Sequence, residues 1–282
     1  MPAGRQTPLV TSDWLEARLD DPAVRVIEIS LEDSPATFES GHIPGAIWSY
    51  WKDLCWDESD RQFLTPAQLA DRLGQQGIGE DSTVVLSGDP VQFGTYAYWA
   101  LLMAGHRDLR LLDGARTRWT AEGRPLTAEP TAVTPVLYQP QAADQSMRAG
   151  RDEVVGGLGD PGRLLLDVRS PEEYRGERVM PPPEFDHGAE RKGRIPGARH
   201  LYYRELLNDD DTFKSPAELR AVLAASAIDP GDFEDVVAYC RLSHRATLVW
   251  TALHYLLGFD HVRIYDGSWT EWGSMVGMPV ET

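Results

Sequence analysis

The chain has 282 residues, of which 44 are acidic and 27 are basic, giving a formal net charge of −17. This acidity argues against general binding to nucleic acid or to an anionic membrane, because both need positive charge on the protein surface. The length suits about two domains, and 42% apolar residues can supply a hydrophobic core for each. Because the chain has this excess of negative charge, any anionic substrate would need a local cluster of positive side chains.

The N-terminal segment MPAGRQTPLVTSDWLEARL contains no continuous apolar stretch of the kind found in a secretory signal. No later segment reaches the ~18 apolar residues that a membrane-spanning helix needs. The only cysteines are Cys55 and Cys240, too few for a disulfide framework or a structural zinc site, and the histidines show no metal-ligand spacing. We expect a cytoplasmic protein with no membrane segment and no metal.

In the first half, the apolar run VIEIS at 26–30 predicts a buried strand, and GHIPGA at 41–46 predicts a turn fixed by Gly and Pro. Cys55 lies among bulky aromatic and acidic neighbours, so we interpret it as a core residue. The stretch STVVLSGDPVQFGTYAYW, which begins at Ser82, predicts a second strand followed by a helix. DGARTRW at 113–119 follows near the end of this half.

A segment with three prolines, AEPTAVTPVLYQPQAADQ, separates the two halves of the chain and has the composition of a linker. We predict an N-terminal domain at 1–128, a linker at 129–145 and a C-terminal domain at 146–282.

The second half repeats the first. GHIPGA returns as GRIPGA at 193–198 and DGARTRW returns as DGSWTEW at 266–272, at nearly the same offset along the chain. The same offset places Gly88 at the position of Cys240, and the insertion ERVMPPPEFDHGAERK precedes GRIPGA in the second half only. A duplicated domain explains this pattern.

The second half also predicts its own alternating elements. RLLLDVRS and DVVAYC are short apolar strands, and the helix SPAELRAVLAASAI begins with Ser215 as N-cap and Pro216 in the first turn. A helix at 244–259, a strand in HVRIYDG and a short helix in SWTEWGSM complete the half. Apolar strands that alternate with helices predict an α/β fold, with a mostly parallel sheet flanked by helices in each of two tandem domains.

Cys240 lies where a strand passes through a short loop into a helix. In parallel α/β sheets such loops commonly hold ligands, because unbonded N–H groups and the helix dipole favour an anion there. Arg241 and Arg245 add positive charge, and His244 adds a hydrogen-bond donor. We therefore interpret Cys240 as a nucleophilic thiolate in preference to a small core residue.

The length of this loop favours sulfur over phosphate. Phosphatase-type loops place five residues between Cys and Arg, so that the Arg can hold a tetrahedral phosphate bidentately. Here four residues separate Cys240 from Arg245, and Ala246 occupies the next position. The tighter ring suits a single sulfur atom, although a phosphatase or arsenate reductase stays open as a weaker alternative.

Three other polar segments need an interpretation. Asp167 and Arg169 end a strand near the predicted site, and we interpret them as a structural ion pair, with Asp167 the better candidate for contact with the pocket. His42 in GHIPGA is assigned to packing. NDDDTF at 208–213 lacks the Gly and the distal Glu of a calcium loop and is assigned to a solvated acidic turn.

Nearly the whole chain resembles the tandem-domain thiosulfate sulfurtransferases of the rhodanese family. The resemblance is carried by GHIPGA, DGARTRWTAEGRPLT, DVRSPEEYRG, GRIPGA, DDTFKS, AYCRLSHRA and YDGSWTEWGSMVGMPV. It implies two rhodanese domains, of which only the C-terminal one is catalytic, in agreement with Gly88 at the cysteine position. It also implies that Cys240 takes the outer sulfur of thiosulfate, releases sulfite and passes the sulfur to cyanide or a thiol.

By this resemblance, the backbone of the loop binds the transferred sulfur and Arg241 holds the sulfonate oxygens. The residues that we predict to bind substrate are Arg241, Leu242, Ser243, His244, Arg245, Ala246 and Asp167. No cofactor is needed, since the sulfur itself is the carried group. The partners would be a small sulfur donor and a thiophilic acceptor; the sequence does not specify an oligomeric state, and a monomer is compatible with it.

The loop departs from the family patterns at several positions. Thiosulfate-specific loops carry Lys where this chain has Leu242, and a bacterial subgroup reads Cys-Arg-Ile-Gly-Glu-Arg-Ser, with Gly at the place of Ser243. Vertebrate-type enzymes carry an anion-binding Arg at the place of Glu173. Two alternatives therefore stay open beside thiosulfate transfer: transfer from 3-mercaptopyruvate, and a non-catalytic persulfide relay.

Overall fold

The computed structural model describes residues 7–181 and 183–282. Across these residues the backbone divides into two compact units. The first comprises Pro8–Gln145 and Asp209–Thr212, and the second comprises Ser146–Asn208 and Phe213–Thr282. Each unit has its own parallel sheet and its own buried core, which confirms the predicted fold class.

The first unit is built on a parallel sheet. Its described strands are β1 (Leu9–Val10), β2 (Val24–Ser30), β3 (Ala46–Tyr50), β4 (Thr83–Asp89) and β5 (Leu109–Leu112). They lie in the order β1-β5-β4-β2-β3. Val84, Val85 and Leu86 of the central strand are all buried, because helices cover both faces of a parallel sheet.

Helices connect these strands. They are α1 (Ser12–Glu16), α2 (Ala36–Ser40), α3 (Trp51–Cys55), α4 (Pro66–Gln75), α5 (Val91–Met103) and α6 (Ala115–Ala121). The start of α4 follows from its sequence, because the Thr65 side chain and Gln68 form a capping box around Pro66. Helix α5 is buried along nearly its whole length, as its apolar sequence predicts.

The segment at 129–145, predicted as a linker, belongs to the first unit. The Thr131 hydroxyl donates a hydrogen bond to the Ala46 carbonyl at 2.7 Å, and the Val136 N–H donates to the Gly74 carbonyl at 2.9 Å. The segment contains neither helix nor strand.

The second unit repeats the sheet of the first. Its described strands are β6 (Arg148–Ala149), β7 (Arg163–Asp167), β8 (Arg199–His200), β9 (Asp235–Tyr239) and β10 (Val262–Tyr265). They are parallel and lie in the order β6-β10-β9-β7-β8, so each strand corresponds to one in the first unit. Strand β9 is central, and Asp167 at the end of β7 lies opposite Tyr239 at the end of β9.

The helices of the second unit are α7 (Arg151–Gly156), α8 (Pro171–Tyr174), α9 (Pro216–Ala225), α10 (His244–Thr251) and α11 (Ser268–Trp272). Helix α9 begins as predicted, with Ser215 and Glu218 in a capping box. The helix predicted at 244–259 is α-helical only to Thr251 and continues as a π-helical turn at Ala252–Leu256. Apolar periodicity does not distinguish these two kinds of turn. Short 3₁₀ turns lie at Tyr203–Leu206 and Pro230–Asp232.

Candidate active site

Cys240 is the residue directly after β9, and residues 240–243 lead straight into α10. The Cys240 side chain is almost fully buried, with 1% of its surface exposed. Ser243 adopts a left-handed conformation, with φ at 72° and ψ at −18°. This turn lets α10 start beside the end of the strand, so the unbonded N–H groups of its first turn lie at the cysteine loop.

The hydroxyl groups of Ser243 and Ser268 form hydrogen bonds that hold the cysteine loop, residues 240–243. The Ser243 hydroxyl donates a hydrogen bond to the Asp266 carbonyl at 2.6 Å and lies 3.3 Å from the Ser268 hydroxyl. The Cys240 N–H donates to Ser268 Oγ at 3.2 Å, while that hydroxyl donates to the Tyr265 carbonyl at 2.9 Å. A side chain with φ above zero is strained, and the buried Ser243 hydrogen bond offsets part of that strain.

The repeated motif DGSWTEW at 266–272 forms the base of the loop. Besides the Ser268 hydroxyl, its backbone N–H groups bind the loop carbonyls. The Trp269 N–H donates to the Cys240 carbonyl at 2.9 Å, and the Thr270 N–H donates to the Arg241 carbonyl at 3.1 Å. The sequence shows this motif as a repeat, but its place under the cysteine loop emerges only in the folded chain.

Arg245 forms a buried ion pair with Glu173. Its two terminal nitrogens donate to the two carboxylate oxygens at 2.6 and 2.9 Å, and Glu173 is fully buried. Burial alone would lower the pKa of the Arg245 guanidinium, but the Glu173 carboxylate raises that pKa above its ordinary value. The ring of Tyr203 lies 5.9 Å from the guanidinium. The positive charge predicted from Arg245 is therefore compensated, and its fork already holds a carboxylate.

Arg241 differs from Arg245 in having no such partner. Within residues 7–181 and 183–282, its guanidinium forms no hydrogen bond and no ion pair. Burial, and then the neighbouring Arg245 charge, lower the pKa of the Arg241 guanidinium. Arginine nevertheless keeps its charge in proteins. Arg241 is thus the loop cation that is available to an anionic substrate.

The remaining loop residues divide by exposure. Leu242 is partly exposed, whereas His244 and Ala246 are buried with Ser243 in the first turn of α10. The His244 carbonyl accepts a hydrogen bond from the Thr247 hydroxyl at 2.8 Å. Residues 241–242 are therefore the outward part of the loop, and contact of the others with substrate stays a prediction.

Asp167 lies in a buried ion pair beside the loop. Its oxygens accept hydrogen bonds from Arg169 at 2.6–3.1 Å and from the Tyr239 hydroxyl at 2.8 Å. The Tyr239 oxygen also accepts from the Ile195 N–H at 3.1 Å, and Arg169 donates to the Gly193 carbonyl at 2.7 Å. These contacts anchor the GRIPGA turn. The structural interpretation of the pair fits this geometry, while substrate contact by Asp167 stays a prediction that the geometry does not favour.

Gly88, at the position equivalent to Cys240, has no room for a side chain. A methyl group added there would lie 2.1 Å from the Gly94 backbone nitrogen and 2.9 Å from the Pro90 carbonyl oxygen. The other cysteine, Cys55, is buried in α3 of the same unit, and burial raises the pKa of its thiol. The first unit therefore has no thiol at the position of Cys240, and its cysteine is a buried residue of α3.

The family described as "Rhodanese-like domain" matches this chain twice, at residues 11–122 and 151–275. The chain belongs to the rhodanese family. Among its relatives is the "Sulfur carrier protein TtuD" of Thermus thermophilus, 42% identical over 96% of this chain and 95% of the relative. A "Putative thiosulfate sulfurtransferase" of Haloferax volcanii is also 42% identical, over 97% of this chain and 96% of the relative. These names support sulfur transfer as the class of activity.

Solved structures show the same architecture. The chain is similar to an anaerobic ergothioneine biosynthesis enzyme from Chlorobium limicola, with 26% identity, a TM-score of 0.82, and coverage of 98% of this chain and 70% of that one. An EanB variant that carries a persulfide on a cysteine is similar at 26% identity, a TM-score of 0.81, and coverage of 98% and 70%. A cysteine persulfide is therefore known on a related scaffold.

Two further features of the described chain bear on the site. No described helix has the length and apolar character to cross a membrane. In the same residues, no group of three or more His, Cys, Asp or Glu side chains is arranged to hold a metal ion.

Proposed function

We propose that this protein is a thiosulfate sulfurtransferase that carries the transferred sulfur as a persulfide on Cys240. The observation that supports this most directly is the loop itself. A cysteine follows the central strand, a helix begins at residue 244, and Arg241 lies between them with no acidic partner among the described residues. Such a loop favours an anionic sulfur at the cysteine and an anionic donor beside it.

In the first step, the Cys240 thiolate attacks the outer sulfur of thiosulfate. The sulfur–sulfur bond of thiosulfate breaks, sulfite leaves with the bonding electron pair, and a cysteine persulfide anion remains. In the second step, cyanide or a thiolate attacks the outer persulfide sulfur, and the Cys240 thiolate leaves. Each step conserves charge, and the two half-reactions give ping-pong kinetics.

The loop residues have separate tasks in this scheme. Arg241 binds the sulfonate oxygens of the donor and places the outer sulfur at Cys240. The Arg245–Glu173 pair and the Ser243 hydroxyl hold the loop in its turn, so that the N–H groups at the start of α10 are fixed before the substrate arrives. No cofactor takes part in the scheme.

The same geometry disfavours phosphate as the substrate. A phosphatase-type loop needs a free arginine fork at its end to hold two phosphate oxygens. Here the loop is one residue shorter, and both terminal nitrogens of Arg245 bind Glu173. We therefore place phosphatase chemistry behind sulfur transfer.

The first unit, in this proposal, is catalytically inactive. Its position equivalent to the nucleophile is Gly88, where the Gly94 backbone leaves no space for a side chain.

A persulfide relay between proteins is the second candidate. The relative from Thermus thermophilus is named a sulfur carrier, and Glu173 compensates a charge that would otherwise attract a dianionic donor. In a relay, Cys240 would accept sulfur from a partner protein and turn over slowly with small donors. Transfer from 3-mercaptopyruvate is a third possibility, since its carboxylate would suit Arg241 equally well.

Thiocyanate formation distinguishes these candidates. The assay uses wild type and Cys240→Ala with cyanide as acceptor, and compares kcat/KM for thiosulfate and 3-mercaptopyruvate. We expect thiosulfate to be the better donor and the Cys240→Ala variant to be inactive. Equal or inverted preference would remove the thiosulfate assignment, and absence of turnover with both donors would favour the relay.

A further inference from the structure

Arg241 lies against an insertion that only the second half of the chain carries. This insertion, at 177–192, places Gly188 at the Arg241 side chain. A methyl group added to Gly188 would lie 2.5 Å from Nη1, 3.4 Å from Cδ and 3.5 Å from Cζ of Arg241. Gly188 has φ at 110°, a conformation that side-chain-bearing residues rarely adopt. The Arg241 guanidinium therefore occupies space that a side chain at position 188 would fill.

On the N-terminal side of Gly188, hydrogen bonds and an ion pair of Asp186 stabilise the insertion. The Asp186 carboxylate accepts hydrogen bonds from the Val179 N–H at 2.7 Å and the Met180 N–H at 3.1 Å. It also forms an ion pair with Lys192 at 3.3 Å. Asp186 therefore binds residues on both sides of it in the insertion, and Gly188 lies between Asp186 and Lys192 along the chain.

On the C-terminal side of Gly188, Arg191 binds the insertion to α11 and the turn that follows it. The Arg191 guanidinium donates hydrogen bonds of 2.6–3.1 Å to carbonyl oxygens of the turn that follows α11 and of α11 itself. These carbonyls belong to Trp272, Gly273, Met275 and Met278. The Arg191 carbonyl in turn accepts from the Trp269 indole at 2.9 Å. Since α11 also binds the cysteine loop, the insertion and the loop share one support.

This arrangement links the insertion to anion binding at the active site. The guanidinium of an arginine can swing widely on its flexible stem, and only its surroundings fix where it lies. Here the Arg245 guanidinium is held by Glu173, whereas the Arg241 guanidinium lies so close to Gly188 that a methyl group added there would overlap Nη1. Moving the Gly188 backbone, or adding a side chain to it, would shift the charge that faces the substrate.

We propose that the described residues of the insertion, 177–181 and 183–192, form a positioning arm, in which Gly188 sets the place of the Arg241 guanidinium and thereby the affinity for an anionic sulfur donor. The inference rests on the proposed function and extends it. The arm acts through Arg241 on donor binding. It takes no part in the attack by Cys240 or in sulfur transfer to the acceptor.

The first test replaces Gly188 by Ala. The added methyl group meets the end of a flexible side chain, so Arg241 moves while the fold persists. We expect KM for thiosulfate to rise by about tenfold or more, because a displacement near 1 Å has such effects, with kcat nearly unchanged. The matched control is Gly159→Ala: Gly159 has φ at 80° and an added methyl group would meet nothing within 4 Å. This control imposes similar backbone strain, and its KM should equal that of wild type.

The second test releases the arm without adding a side chain. In Asp186→Ala the loop of the insertion loses its internal acceptor, and KM for thiosulfate should rise in the same direction. Both variants are then combined with Arg241→Ala. If the arm acts through Arg241, neither substitution changes KM by more than about twofold in that background. An undiminished effect in the absence of Arg241 would overturn the proposal.

A binding measurement separates this inference from the proposed function. Thiosulfate is titrated calorimetrically into Cys240→Ser, with and without Gly188→Ala. The arm predicts an affinity lower by about the factor seen in KM, even if the enzyme does not turn thiosulfate over. Equal affinities in the two proteins, or no binding to either, would contradict the arm. Turnover with an unchanged KM would contradict the arm and leave the proposed function standing.

Discussion

The loop that follows β4 in the first unit and the loop that follows β9 in the second leave corresponding central strands of two sheets with the same strand order. In the second unit the loop begins with Cys240, whose main chain is bound from below by α11. In the first unit the position equivalent to Cys240 is Gly88, which still lies within β4 and packs on the Gly94 backbone. The strand and the helix are common to both units, but the first unit has no space for a side chain at the position of Cys240.

The repeated motifs DGARTRW and DGSWTEW share a backbone conformation but differ in a side chain that contacts the cysteine loop. Ser268 and Ala115 occupy equivalent positions in the repeated motif and have nearly the same positive φ, 50° and 49°. Only Ser268 has a hydroxyl, and that hydroxyl accepts the Cys240 N–H. The two halves thus share a backbone conformation, and the active-site contacts come from side chains added to it.

The turns that precede the loops are anchored by different groups in the same places. In the second unit, Arg169 donates to the Gly193 carbonyl and is paired with Asp167. In the first unit, Arg116 binds the Gly41 carbonyl and Glu28, and the Glu28 carboxylate accepts the N–H of Ile43 at 2.7 Å. A buried acid and arginine therefore stabilise the turn in both units, which explains why Asp167 lies beside the site as an anchor.

The largest effect should follow removal of Glu173, whose carboxylate pairs with Arg245 in the first turn of α10. Glu173→Ala leaves the Arg245 charge buried without a partner, so the free energy of unfolding should fall by about 3–5 kcal/mol. Urea unfolding measures this loss. Glu177→Ala is the control, because it removes a carboxylate from a half-exposed pair with Arg175 and should cost about 0–1 kcal/mol. Similar losses in the two variants would show that the buried pair does not stabilise the unit.

A cysteine placed at residue 88 tests whether the first unit is closed to chemistry. The Gly88→Cys side chain would overlap the Gly94 backbone, so we expect a loss of about 3 kcal/mol in the free energy of unfolding and no sulfur bound at residue 88. Gly150→Cys is the control, because an added side chain meets nothing within 4 Å there. Mass spectrometry in a Cys240→Ala background reads out the sulfur. A stable variant that carries sulfur at residue 88 would contradict the steric account.

Ser268→Ala gives the second unit the residue that the first unit has at this position. The Cys240 N–H loses its acceptor in a buried place, so the free energy of unfolding should fall by about 1–2 kcal/mol, and kcat should fall with it. Ser274→Ala, at an exposed serine two residues beyond α11, should change neither quantity. If both variants behave like wild type, the hydroxyl support is not needed.

The smallest effect concerns Ser243, whose side chain and left-handed backbone act in opposite directions. Ser243→Gly loses the hydrogen bond to the Asp266 carbonyl but relieves the strain, whereas Ser243→Ala loses the hydrogen bond and keeps the strain. We expect the Ala variant to be less stable than the Gly variant by about 1 kcal/mol. Thermal or urea unfolding of the pair measures the difference, and the reverse order would show that the positive φ is not strained.

Much of the fold could be predicted because it depends on local patterns. Apolar strands, the N-cap at Ser215 and the repeated motifs predict two parallel sheets without knowledge of distant contacts. The register of the repeat also placed Gly88 opposite Cys240. Ser243, at the place where a bacterial subgroup of the family carries Gly, has a positive φ of 72°.

The site was less predictable because its side chains meet across long stretches of chain. The sequence shows Glu173 only as a departure from an anion-binding arginine, because its pairing with Arg245 joins positions 72 residues apart. The Ser170–Glu173 capping box was a signal that this carboxylate is held in place. Nothing in the local sequence placed Ser268 under the cysteine or Gly188 against Arg241, since both contacts depend on how loops pack.

In the proposed reaction Cys240 carries the transferred sulfur, and a single turnover with thiosulfate and no acceptor shows whether it does. The protein is mixed with thiosulfate, released sulfite is quantified, and peptides containing Cys240 and Cys55 are weighed by mass spectrometry under non-reducing conditions. We predict one sulfite released per chain and the mass of one sulfur atom added to the Cys240 peptide, with the buried Cys55 unchanged. Sulfite release without added sulfur on Cys240, or sulfur on Cys55 instead, would contradict the account.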